Sequence, residues 1–177
     1  MKQILMILLC VCLFSGCTDP KTFETMSDLY YAPATPPPGE ISVWLPEGSA
    51  LSTMENDEGG KLYLCDGYTV SVQTAVSGDL DATLCSATGY GKEKLNGISW
   101  KQGDLSRYEC AWAAAGESGD QVGRTVVLDD GSYHYVVTIL GEADLAGAMT
   151  DTWAAITASV ALDADPVLPD TADGTGQ

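Results

Sequence analysis

The chain has 177 residues, with 25 acidic side chains, 8 basic ones and a single His, for a net charge of −17. That balance excludes nucleic acid, whose phosphates call for clustered Lys and Arg, and excludes attachment to anionic lipid through a basic patch. Hydrophobic residues make up 45% and charged residues 19%, enough apolar material for the core of about one domain.

Lys2 precedes an apolar run from Ile4 to Phe14. A bilayer span needs about 20 apolar residues, so this shorter run reads as a secretory signal. It ends in Phe14-Ser15-Gly16-Cys17. Small residues directly before Cys resemble the lipobox of bacterial lipoproteins, although Phe14 stands where Leu is usual. The resemblance implies a signal peptide over 1–16, cleavage before Cys17 and acyl chains on Cys17. The protein would then be lipid-anchored at the cell membrane or outer membrane and face the extracytoplasmic side. The processed chain would carry 7 basic and 25 acidic side chains, a balance of −18.

Residues 17–39 read as the lipidated Cys followed by a tether. Pro36, Pro37 and Pro38 favour extended polyproline II, at about 3.1 Å per residue. Tyr30 and Tyr31 are expected to dock on the domain that follows.

That domain is expected over 40–163. Ile41, Val43 and Leu45 alternate with Ser42 and Trp44 before Pro46, which predicts an opening strand. Residues 56–60 read as a turn, and Leu62 and Leu64 alternate again. Asp66-Gly67 is a hairpin signal, and Val70, Val72 and Thr74 continue the alternation. Asp79 is placed to cap a short helix carrying Leu80, Leu84 and Ala87, and Gly89 ends it. Leu95–Lys101 is strand-like, although Asn96-Gly97 also fits a turn. Tyr108, Cys110 and Trp112 share one strand face. Arg124–Leu128 is a further strand, and Asp129-Asp130-Gly131 turns into a β-rich segment, 132–140. Leu145, Met149, Trp153, Ile156 and Val160 are spaced 4, 4, 3 and 4, the stripe of a long core-facing helix with Asp144 as its cap. From 164 the chain reads as a disordered acidic tail. The expected fold is α+β: an antiparallel sheet of about seven strands, flanked by a short middle helix and a long C-terminal helix.

Three stretches sit at matching places in this order. They are Ile41-Ser42-Val43-Trp44-Leu45-Pro46-Glu47-Gly48, then Asp130-Gly131-Ser132-Tyr133-His134-Tyr135, and the closing Trp153-Ala154-Ala155-Ile156-Thr157-Ala158-Ser159-Val160. Together they resemble the PsbP-like superfamily over the domain. The resemblance implies an antiparallel sheet flanked by helices and a binding or assembly role, and it supplies no catalytic motif.

Searches for chemistry return little. His134 lies between Tyr133 and Tyr135 in a strand and reads as an exposed or hydrogen-bonded residue rather than a general base. There is no Gly-x-Ser-x-Gly elbow, no phosphate loop and no dinucleotide fingerprint. Ser118 falls in a loop. Asp79 with Asp81, or Asn56-Asp57-Glu58, lack the spacing of a calcium loop and read as turn charges. No catalytic residue, metal site or cofactor is expected. Cys65, Cys85 and Cys110 follow the lipidated Cys in an exported chain, where disulfides persist. Cys85–Cys110 is the preferred bridge, with Cys65–Cys110, the third pairing and unbridged buried thiols as alternatives. The functional expectation is a non-enzymatic binding or assembly module held at the membrane, with a basic protein as the favoured partner. The alternatives are an envelope hydrolase with an unrecognised carboxylate pair and a calcium-dependent structural protein.

Overall fold

A computed structural model describes residues 35–53, 60–116 and 119–164. The signal segment, Cys17, Tyr30, Tyr31 and the tail from 165 lie outside the described residues, as does the turn read at 56–60 except for Gly60. The described residues from Pro37 onward belong to one unit.

The described elements are β1 (Ile41–Ser42), β2 (Ala50–Leu51), β3 (Lys61–Leu64), β4 (Tyr68–Val76), α1 (Leu80–Thr88), a single 3-10 turn (Lys92–Lys94), β5 (Asn96–Gln102), β6 (Leu105–Gly116), β7 (Gly119–Asp129), β8 (Tyr133–Glu142), α2 (Thr150–Ser159) and β9 (Ala161–Leu162). Seven strands form one sheet in the order β2-β3-β4-β8-β7-β6-β5, and every pairing in it is antiparallel. The sheet is thus mainly a run of hairpins, closed in the middle by β4 pairing with β8.

The central strands read as near-continuous apolar runs because both of their faces are covered. Leu84 of α1 packs on Tyr108, Cys110, Val127 and Val136. Trp153, Ile156 and Val160, in and just after α2, pack on Val70, Val126, Leu128, Tyr135, Val137 and Ile139 of the opposite face. Alternation along β7 and β8 therefore sorts apolar residues between two cores rather than between core and water.

Local signals explain the joints. Gly67 takes the left-handed conformation, φ 78°, in the tight β3–β4 turn, where the Cys65 N–H donates to Tyr68 O at 3.0 Å. Asp79 caps α1 by accepting from the Asp81 N–H at 3.0 Å, a cap worth about 1 kcal/mol. Gly89 closes the helix at φ 79° and donates to Cys85 O. Asn96-Gly97 lies inside β5 instead of turning. A Cβ at Gly97 would strike the Tyr108 ring, so this glycine makes room for a close cross-strand neighbour.

Two expectations need correction. The opening strand is only two residues long and lies outside the main sheet: Ile41–Ser42 pairs with Ala161–Leu162, and β2 takes the edge position. The segment's backbone is held by side chains near the chain's other end. Gly39 N–H donates to Tyr135 Oη at 2.8 Å, Glu40 N–H to Asp163 Oδ1 at 2.7 Å, and Trp44 N–H to Ser159 Oγ at 2.9 Å. The C-terminal helix is not long. It spans Thr150–Ser159 and has no side-chain cap, and Asp144 is an exposed turn residue. Before it, Leu145 N–H bonds Glu142 O and Ala146 N–H bonds Ala143 O, which are tight-turn rather than α-helical bonds. Gly147 also falls here, and glycine weakens a helix interior by about 1 kcal/mol relative to alanine. Leu145 and Met149 remain partly buried, so the apolar stripe outlasts the helix.

Candidate functional site

The conspicuous cluster of chemistry-bearing residues surrounds His134. The imidazole is 2% exposed, at the start of β8. Thr83 Oγ1 of α1 is 2.7 Å from its Nδ1, and Ser77 Oγ is 3.3 Å from its Nε2. Ser77 Oγ in turn donates to Asp129 Oδ1 at 3.0 Å, while Asp129 itself stands 3.9 Å from the ring. The Ser77 O–H donates to Asp129, which leaves Nε2–H to donate to Ser77, while Thr83 Oγ1 stands 2.7 Å from Nδ1 and 3.5 Å from Asp79 O with one hydroxyl proton for the two. The Ser77 hydroxyl proton then goes to the carboxylate and not to the ring, the reverse of what activates a nucleophile. The network joins the end of β4, the β7–β8 turn and the first turn of α1. The adjoining hollow is only about 110 Å³.

The turn beside it is equally well bonded. Asp130 accepts Ser132 N–H and Tyr133 N–H at 2.7 Å and Tyr135 Oη at 2.8 Å. Partial burial raises the carboxyl, but these donors outweigh it and hold Asp130 below the ordinary carboxylate range. Asp79 and Asp81 are also committed to structure: Asp79 caps α1, and Asp81 Oδ1 accepts Lys92 N–H at 2.5 Å. Among the described residues no three His, Cys, Asp or Glu side chains converge on a metal position.

The three cysteines are free in this structure. Cys110 is buried; burial pushes its thiol up to about 11, partly offset by hydrogen bonding to Thr125. Cys85 is exposed, next to Leu84 but off the surface that α1 buries. Cys65 is half-buried, 3.4 Å from Ser49 Oγ. The structure does not bring the Cys85–Cys110 pair into a bridge.

The site that sequence reading missed is a cleft on the α2 face. Register builds its floor. Directly paired residues share a face, so Asn96, Ala111, Arg124 and Ile139 form one row across four strands. Ala113, Val122 and Gly141 form the next. Because α2 begins only at Thr150, it stops short of this end of the sheet and leaves Ala111 and Ala113 exposed. The opening holds about 470 Å³ and is lined by these alanines, Val122, Arg124, Thr150 and Trp153, among others. That size suits a small organic ligand.

Two polar groups near it lack partners among the described residues. Half-buried Arg124 makes no hydrogen bond or ion pair with any described residue. Trp153 is 2% exposed, and its indole N–H has no acceptor; a buried donor left unpaired costs about 1–3 kcal/mol. Its ring packs edge-on against Tyr68 at 5.8 Å. The buried Tyr68 hydroxyl stands beside Cys65 and is pushed up to about 12, first by burial and then by Cys65 and Asp66. Among the described residues no helix is long and apolar enough to cross a membrane.

No family model and no curated protein matches the chain. Among solved structures it is similar to the crystal structure of LpqN, involved in cell envelope biogenesis of Mycobacterium tuberculosis. The identity is 12% and the TM-score 0.45, over 71% of this chain and 86% of that one. The PsbP-like resemblance therefore rests on the residue patterns alone.

Proposed function

We propose that the protein is a non-enzymatic binding module, carried outside the cytoplasm on a lipid anchor at Cys17. The observation that supports the binding role most directly is the open cleft beside α2, with its apolar floor and an Arg124 that bonds no described residue. The only His is engaged in a network that fastens α1 to the sheet. The lipobox-like Ser15-Gly16-Cys17 and the proline tether support display at a membrane surface. The net charge of −17 favours a basic protein as any larger partner and disfavours nucleic acid.

A fragment screen read by thermal shift tests the binding role. Ligands of the cleft are expected to stabilise the domain by RT ln(1 + [L]/Kd). Ala113→Phe, which fills the floor, should abolish the shift. A screen with no stabilising fragment, or with hits indifferent to Ala113→Phe, would count against the cleft as the site. Labelling with a palmitate analogue tests the anchor: the label should vanish in Cys17→Ala.

A further inference from the structure

Arg124 is out of keeping with the rest of this chain. Carboxylates outnumber basic side chains 25 to 8, so an arginine here has ample opportunity to pair. Arg107, on the same sheet face, does so: Glu109 Oε1 accepts from its Nε at 2.8 Å and its Nη2 at 2.6 Å. The nearest carboxylate to Arg124 in the register is that same Glu109, which lies opposite Val126, two residues along β7, and it is already engaged. The direct cross-strand neighbours of Arg124 are Ala111 and Ile139, neither of which can accept a side-chain hydrogen bond. A guanidinium in a half-buried position with apolar neighbours is set up for a planar oxyanion that it can hold through two parallel N–H bonds.

The remaining walls indicate the rest of the ligand. Ala111, Ala113 and Val122 offer an apolar bed with no charge of their own, and Asn96 and Thr150 stand among the lining residues. The lining thus combines a single cation, the uncharged polar side chains of Asn96 and Thr150, and a largely apolar floor. Building on the binding-module reading, we propose that this cleft binds a small organic anion, with a carboxylate or phosphate head at Arg124 and a short apolar body over Ala111, Ala113 and Val122. The ligand is amphipathic because neither half of the cleft is satisfied by the other half's chemistry.

Four probes separate the terms: hexanoate, hexyl phosphate, hexan-1-ol and inorganic phosphate. Each is titrated by calorimetry into the full chain held in phosphatidylcholine nanodiscs, with empty nanodiscs as the blank. Hexanoate or hexyl phosphate should bind more tightly than either hexanol or inorganic phosphate, and the better of the two identifies the head group. Arg124→Gln should weaken the anion by about tenfold or more, the range of a charge-assisted hydrogen bond, and leave hexanol unchanged. Hexanol binding as tightly as the anions would overturn the proposal and leave the binding-module reading standing. Anion affinity unmoved by Arg124→Gln would also overturn it. Heat with none of the four probes, together with a failed fragment screen, would overturn both readings.

Discussion

Arg107 and Arg124 occupy adjacent strands of one sheet face and meet opposite fates. Arg107 is 3% exposed. Besides Glu109, it donates to Gln102 Oε1 at 3.0 Å, to Val160 O at 3.1 Å and to Thr157 O at 2.5 Å, and Trp100 lies 5.5 Å from its guanidinium. Two of those acceptors are carbonyls at the C-terminal end of α2, where a helix concentrates partial negative charge. The helix has no basic residue in its own last turn; the sheet supplies one. At its other end the same helix, from Thr150 and Trp153, lines the opening beside Arg124 without a hydrogen bond to it. One end of the face is closed by a helix terminus with complementary charge, and the other is left open as a cleft. The placement of a ten-residue helix separates a structural arginine from an available one.

The sharpest way to break this contrast is to remove each guanidinium in turn. Arg107→Met strands Glu109 and two helix-end carbonyls, and should cost about 3–5 kcal/mol in urea unfolding, the range for breaking a buried pair. Arg124→Met should stay within about 0.5 kcal/mol, as for a position with no partner to lose. Equal losses would show that Arg124 is structural too.

Acid should loosen the closed end first. Arg107, Leu128, Tyr135 and Thr74 lie in one row, and Tyr135 Oη both donates to Asp130 and accepts from Gly39 N–H. The Asp130 carboxyl is lowered in the folded state, so its contribution is present above the unfolded value and is lost as pH falls through the folded one. Because the carboxylate is exposed, the loss should stay below about 1 kcal/mol. Asp130→Asn should flatten the pH dependence of melting below the ordinary carboxylate range. Amide exchange at Gly39 and Glu40 should rise with acid, while the cleft strands hold. An unchanged acid profile in Asp130→Asn would remove this group from the account.

The opposite face gives the smallest and cleanest readout. Thiol labelling at mild alkaline pH should mark exposed Cys85 quickly and leave buried Cys110 untouched until unfolding, since thiolate is the reactive form. If export oxidises the pair, neither should label until a reductant is added. Rapid labelling of Cys110 in the native state would show that the α1 face opens on its own.

Local chemistry made much of this legible in the residues alone. The Asp79 cap, the Gly89 stop, the Asp66-Gly67 and Asp129-Gly131 turns, and the shared face of Tyr108 and Cys110 each depend on a few neighbouring residues, and each is present. The stripe through Trp153, Ile156 and Val160 is buried because helical spacing alone sets that face. Nearest-neighbour reasoning also had limits. Gly97 stays in a strand because of Tyr108, which comes from another strand. The helix expected from Asp144 starts at Thr150, where tight turns give way to α-helical bonding. Ile41–Ser42 pairs with Ala161–Leu162 outside the main sheet, and the flanking N–H groups of Gly39, Glu40 and Trp44 donate to Tyr135, Asp163 and Ser159 far along the chain.

Taken alone, the sequence determined the strand and helix signals, the charge and the lipobox-like pattern Ser15-Gly16-Cys17, since these need only composition and short spacings. Only the tertiary structure decided which arginine is paired, that His134 is enclosed by Ser77 and Thr83, and that Ala111, Ala113, Val122 and Arg124 form one surface. Those outcomes depend on strand register and on where α2 ends. Both are set by long-range packing, which no short window of residues contains.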